Sequence, residues 1–168
     1  MGWFINCAKV TISTGTHGFT PIFTFILMAK FAVALKARLI LQSHGRLLLL
    51  KQTKPNGGNY SLVGGTIERR EYAASTLIRE SWEEAGIRLE KKDLELVHVL
   101  HKRSKNEHRI VLYFRAYHYK GSPESRELEK FENVEWWPLK ELPPNLTGTV
   151  RHVLTAYNAG QLYSEMEK

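Results

Sequence analysis

Residues 79–86 read RESWEEAG, and the glutamates in this run constrain the chain more than any other feature. The surrounding stretch EYAASTLIRESWEEA, residues 71–85, has Ala73, Ala74, Leu77, Ile78 and Ala85 at helical spacings, with Trp82 extending the stripe from Ile78. Gly86 follows, as a helix stop requires. On a helix, residues three and four apart share a face, so Glu80, Glu83 and Glu84 are expected to project together. Three crowded carboxylates repel one another unless something neutralises them. Either the face is open to water, where charge costs little, or a hard cation such as magnesium or manganese is held by oxygen ligands. Arg79 can pair with a carboxylate and fix its orientation, with Glu71 as a more distant partner. Gly64 and Gly65 precede the helix, where bare backbone can approach a phosphate closely.

The rest of the chain reads as strands and turns around this helix. FAVALKARLIL and RLLLLKQ, separated by QSHG, are expected as a hairpin or two successive strands. TKPNGGNY is a loop, and YSLVGGTIE is a short strand running into the double glycine. IRLEKKDLELVHVLHKR carries a turn and a strand, RIVLYFRAYHY a strand, and GSPESRELEKFENVEWWPL a polar loop and a strand. ELPPNLTGTVRHVLTAYNAGQL closes with a Pro-rich turn and a terminal helix. The expected fold is α/β: a mixed sheet covered by helices.

At 168 residues the chain suits one domain, which we place at residues 28–168. Residues 18–35, GFTPIFTFILMAKFAVAL, are strongly apolar, but the uncharged part before Lys30 is about a dozen residues, short of the ~20 that span a bilayer. A signal segment or a membrane anchor is one reading of residues 1–27. The reading adopted here is an extension of doubtful origin, with Met28 as the natural start. No membrane partner is expected unless residues 1–27 insert. Cys7 is the only cysteine, so there is no disulfide framework and no Cys-rich zinc site; a reducing, cytoplasmic setting fits. The net charge of +7 invites an anionic partner. Yet no run of Lys or Arg exceeds two residues, so a nucleic-acid partner is not expected and a small phosphorylated molecule is.

The stretch Gly65 to Ile87 resembles the Nudix box of the Nudix hydrolases. Gly65, Glu71, Arg79, Glu80, Glu83, Glu84, Gly86 and Ile87 match its pattern at the family spacing. Ser81 departs from it where an aliphatic residue is usual, and Val63 stands where proline often precedes the double glycine. The resemblance implies an α/β/α sandwich and magnesium-dependent hydrolysis of a diphosphate linkage in a nucleoside diphosphate joined to a further moiety. It implies metal ligation by Glu80, Glu83, Glu84 and the Gly65 carbonyl, with manganese as a possible substitute. Arg79, Glu80 and Glu83 are implied as catalytic, and Glu71 and Gly86 as support for the site. The general base is implied to be Glu80 or Glu83, with Glu107, Glu127 and Glu129 as loop candidates.

The C-terminal part resembles small bacterial MutT-like members, in which a segment like Glu127 to Lys130 precedes a Trp-x-Pro-Leu strand. A nucleoside triphosphate is the implied substrate. ADP-ribose or another nucleotide sugar is a second reading, and a nucleotide-sensing module without turnover a third. Candidate substrate contacts are Tyr60, Gly64, His101, Lys102 and Glu127. His98, His101 and Lys102 read more readily as ordinary strand-face residues, and Tyr60 as a core or rim aromatic. Alternation puts one of Trp136 and Trp137 in the core and the other half-exposed.

Overall fold

The computed structural model describes residues 32–167. The extension 1–27, Met28 and Cys7 lie outside the described residues. In chain order the elements are β1 (Ala32–Ile40), β2 (Gln42–Ser43), β3 (Arg46–Gln52), β4 (Tyr60–Ser61), α1 (Ala73–Ala85), β5 (Leu94–Arg103), β6 (Glu107–Ala116), β7 (Phe131–Pro138), α2 (Gly148–Asn158) and β8 (Tyr163–Glu167). The first sheet runs β1-β6-β5-β8 and is mixed: β1 and β8 lie parallel to their neighbours, and β5 and β6 are antiparallel. The second sheet is antiparallel, with β3 at its centre pairing β2, β4 and β7. The α/β character expected from the sequence is what the chain adopts.

The chain changes sheets at Leu41. Before it, β1 pairs with β6; after it, the Leu41 carbonyl and β2 pair with β3. The hairpin therefore involves only the short β2, and the long run FAVALKARLIL is not its first arm. His44 and Gly45 close it with φ of 47° and 72°. Two successive positive φ values give the turn whose twist matches that of the strands.

Alternation along β3 divides the core. Leu48 and Leu50 face one apolar cluster with Ala37, Leu39, Leu77 and Ile87; Leu47 and Leu49 face another with Ile40, Leu100, Tyr113, Val150 and Leu154. The four-leucine run is thus apolar throughout because both faces are covered. The first cluster seats α1 and the second seats α2. Trp136 packs toward the first and Trp137 toward the second, and both are half-buried rather than one being core. The terminal helix is followed by β8, which the sequence does not announce: YSEME has little apolar content, and its pairing with β5 joins residues about sixty apart in sequence.

α1 buries Thr76, Leu77, Ser81, Glu84 and Ala85. Trp82 does not extend the buried stripe. Its ring is exposed and lies between two guanidinium groups, with Arg126 3.6 Å and Arg88 4.4 Å from its centroid. Ser81 takes the core position instead, and its Oγ is buried without a hydrogen-bond partner among the described residues. An unpaired buried hydroxyl costs roughly 1–3 kcal/mol. Ser81→Ala is therefore expected to stabilise the protein by about 1 kcal/mol, read as a higher urea midpoint with an unchanged slope.

Candidate active site

The segment 63–67 runs along the free edge of β1. The N–H groups of Leu39 and Ala37 donate to the carbonyls of Val63 and Gly65 at 2.9 and 3.0 Å, and Ile67 N–H donates to the Leu35 carbonyl at 2.9 Å. Gly64 and Gly65 are needed here for different reasons. Gly64 has φ of 125°, and a Cβ on it would lie 2.3 Å from the Ala37 carbonyl oxygen. A Cβ on Gly65 would lie 2.2 Å from Glu80 Oε1. The first glycine lets the strand edge close, and the second leaves room for a carboxylate. The Gly65 carbonyl, expected to face a metal, already accepts the Ala37 N–H and retains one lone pair.

Arg79 organises the acidic face. Its Nε and Nη2 donate to the two oxygens of Glu71 at 2.8 and 3.0 Å, while Nη1 donates to Glu80 Oε1 at 2.9 Å and Glu83 Oε2 at 2.8 Å. Thr76 Oγ1 adds a bond to Glu71 at 2.9 Å. These contacts, led by Arg79, hold the Glu71 carboxyl down at about 2 and push the Arg79 guanidinium above its ordinary value.

The three helix glutamates do not present one uniform face. Glu83 is the exposed one. Glu84 is 5% exposed, and its Oε2 accepts the Gly64 N–H at 2.8 Å. Burial raises its carboxyl to about 7; Gly64 N–H and Arg38 oppose the rise, and Glu80 and Glu127 add to it. Among the described residues no three His, Cys, Asp or Glu side chains gather closely enough to hold a metal ion as they stand. Arg79 occupies oxygens of Glu80 and Glu83. Glu84, by contrast, is a buried carboxylate with one backbone donor and like charges nearby. That is a donor set a hard cation suits.

The loop after β6 docks on the end of α1. Gly86 ends the helix with φ of 66°. N–H groups of Glu124 and Arg126 donate to the Ala85 and Glu84 carbonyls at 3.1 and 3.3 Å, satisfying helix-end acceptors. The docking brings Glu127 within electrostatic reach of Glu84. Lys130 Nζ donates to both Glu127 oxygens at 2.8 and 3.0 Å and feels Glu84 and Glu80 as well. Lys130, which closes the Glu127 to Lys130 segment marked in the sequence, belongs to this neighbourhood, as do Arg38 and Lys36, which the sequence analysis does not single out; only their strand spacing hints at a shared face.

Other expected contacts separate. Tyr60 is buried, gives its hydroxyl to Glu135 at 3.0 Å and packs edge-on against Trp137, so it is a core aromatic. Burial and Glu135 push its hydroxyl up to about 12. His98 is fully buried between the Gln161 carbonyl and Ser164 Oγ, each at 2.8 Å. His101 and Lys102 point to opposite faces of β5: His101 meets His108 at 2.8 Å, and Lys102 meets Thr149 at 2.8 Å. Glu107 begins β6 rather than lying in a loop, and it pairs with Arg109 at 2.7 Å. Glu129 is exposed, and its carbonyl caps Thr53 and Asn56.

The two glycines predict different failures. Gly65→Ala should displace the flexible Glu80 carboxylate and abolish activity with little change in melting temperature. Gly64→Ala meets backbone at positive φ and should unfold the edge, lowering the melting temperature by several degrees. The two shifted carboxyls predict opposite pH slopes. Glu71, held at about 2, contributes stability that is full above the ordinary value of 4.5 and lost as pH falls through about 2. Glu84, raised to about 7, contributes stability that is full below 4.5 and lost as pH rises through about 7. Urea unfolding in metal-free buffer should show Glu71→Gln flattening the acid limb and Glu84→Gln flattening the neutral one.

The family model for the NUDIX domain matches residues 31–157. Among solved structures, the MutT NUDIX hydrolase from Burkholderia pseudomallei is similar, at 28% identity and TM-score 0.66, over 73% of this chain and 96% of that one. The mutator MutT protein from Bacillus halodurans shares the fold at 22% identity and TM-score 0.65, over 80% of this chain and 89% of that one. The MutT protein from Methanosarcina mazei does so at 17% identity and TM-score 0.64, over 76% and 94%. The arginine-bound acidic helix, the double glycine beneath it and the match over most of the chain agree: the protein belongs to the Nudix family and is a Nudix hydrolase.

Proposed function

We propose that residues 28–168 form one catalytic unit that hydrolyses nucleoside triphosphates, with magnesium, to a nucleoside monophosphate and pyrophosphate. The observation that carries this reading is the pairing of an arginine-held set, Glu71, Glu80 and Glu83, with a buried Glu84 that, among the described residues, has no cationic partner in hydrogen-bond contact. Glu80, Glu83 and Glu84, with the Gly65 carbonyl, would hold magnesium; manganese offers the same hard-oxygen preference. When bound, the ion neutralises phosphate oxygens and acidifies a water for attack at phosphorus.

The chain's own groups do the positioning. Glu71 fixes the plane of the Arg79 guanidinium, and Arg79 in turn fixes Glu80 and Glu83. Gly65 leaves room for the Glu80 carboxylate against the backbone. Water adds across one phosphoanhydride bond, and its proton passes to a carboxylate of the Glu80–Glu83 pair. Pyrophosphate leaves. Most of the rate enhancement then comes from orientation and fixed charge.

No helix among the described residues is long and apolar enough to cross a membrane. A cytoplasmic setting goes with a nucleotide substrate.

The test uses the full chain, with nucleoside triphosphates and nucleotide sugars offered with and without magnesium. Triphosphate cleavage should depend on magnesium, yield monophosphate and pyrophosphate, and fall at least roughly a hundredfold in Glu84→Gln. Cleavage that survives metal removal, or that Glu84→Gln leaves intact, would refute the assignment.

A further inference from the structure

The face of the first sheet that seats α2 changes character along its length. Val111, Tyr113 and Leu100 are buried under Val150, Val153 and Leu154 of α2. The next positions on the same face, toward the start of β6, are charged. The register sets Arg109 opposite Lys102, and Lys36 one step diagonally across from Arg109 on β1, with Arg38 two residues beyond Lys36. Lys102, Ser104, Glu107 and Arg109 line a shallow hollow there. Folding does not ask for this. Like charges gathered at one end of the face oppose one another even when partly screened, and neutral residues would cap the apolar cluster as well.

The strip is continuous with the active site. Lys36 Nζ donates to Thr66 Oγ1 at 3.2 Å, and Thr66 follows Gly65 directly. The Lys36 ammonium is held below its ordinary value by burial first, then by Arg38 and Arg109; Glu107 and Glu80 pull it back. One lysine therefore feels both the acidic helix and the middle of the strip, Arg109 and Glu107 on β6. At the other end Lys102 reaches Thr149 in the first turn of α2. Adjacent strands lie about 4.8 Å apart, so from β1 to β5 the strip spans about 10 Å, longer than one phosphate. Arg109 is bound by Glu107 at 2.7 Å yet stays 41% exposed, so a ligand can reach it.

We propose that Lys36, Arg109 and Lys102 form an anion track that holds the phosphates beyond the hydrolysed linkage and selects triphosphates over nucleotide sugars. This rests on the hydrolase reading above and adds the part of the substrate that decides selectivity. Beyond the cleaved linkage a nucleotide sugar has one phosphate, bearing a neutral sugar; a triphosphate has two phosphates and more charge, and so fills more of the track. Glu107 keeps Arg109 aligned when the track is bare.

The experiment measures two things on the full chain. The first is the ratio of kcat/KM for a nucleoside triphosphate to that for a nucleotide sugar. The second is the affinity for inorganic tripolyphosphate by calorimetry in magnesium, which needs no turnover. Arg109→Gln and Lys36→Gln should each lower the ratio and weaken tripolyphosphate binding by roughly tenfold or more, chiefly through KM. Arg109→Lys should recover part of both. Melting temperatures identify any variant that fails to fold, and the remaining one then decides. An unchanged ratio and unchanged tripolyphosphate affinity in a folded variant would overturn the track. If wild type cleaves no anhydride, the hydrolase reading falls by itself, and the calorimetry still tests the strip.

Discussion

The guanidinium of Arg79 is the point on which the acidic helix depends. Three carboxylates reach it, and each alone would repel the others. A planar donor fork can satisfy several oxygens at fixed angles, which an ammonium cannot. Glu71 matters because it takes two of the donors and so sets the plane of the fork, leaving the remaining nitrogen aimed at Glu80 and Glu83. The pair is therefore a positioning device as much as a charge balance.

Glu84 is held by the opposite means. It has a backbone N–H from Gly64 and burial, and among the described residues no side-chain cation bonds it. That N–H faces the helix only because Gly64 adopts positive φ while the segment 63–67 clings to β1. The loop carrying Glu127 and Lys130 comes up from the other side and uses the open carbonyls of α1 as its anchor. One helix is thus fixed by three separate pieces of chain. Its carboxylates stand in unlike environments: Glu83 exposed and Glu80 half-buried, both bound by Arg79, and Glu84 buried.

Much of this was legible in sequence. The helix at 73–85, its glycine stop, the double glycine and the eight matched positions follow from local rules, because helical spacing and glycine conformations are set by neighbours in the chain. What local rules missed is non-local. Trp82 has helical spacing suited to burial, but Arg88 and Arg126 arrive from other segments and cover it outside the core. Tyr60 was an open choice between ligand contact and core until Glu135 and Trp137 closed around it. The strand β8 carries little apolar signal, and pairing with β5 gives it a place.

The sequence by itself carried the family pattern, because the matched positions from Gly65 to Ile87 lie within one helix and the short segment before it. It also determined the two-sided β3, because four successive leucines have no solvent-facing solution. Only the tertiary structure decided which glutamate is buried, which is held by arginine, and which cations share their neighbourhood. Lys36 lies far in the chain from Lys102 and Arg109, and the three meet through strand register. A one-residue slip of register would send each to the opposite face. Charge environment is a property of who the neighbours are in space, and the chain fixes that only once its strands have paired.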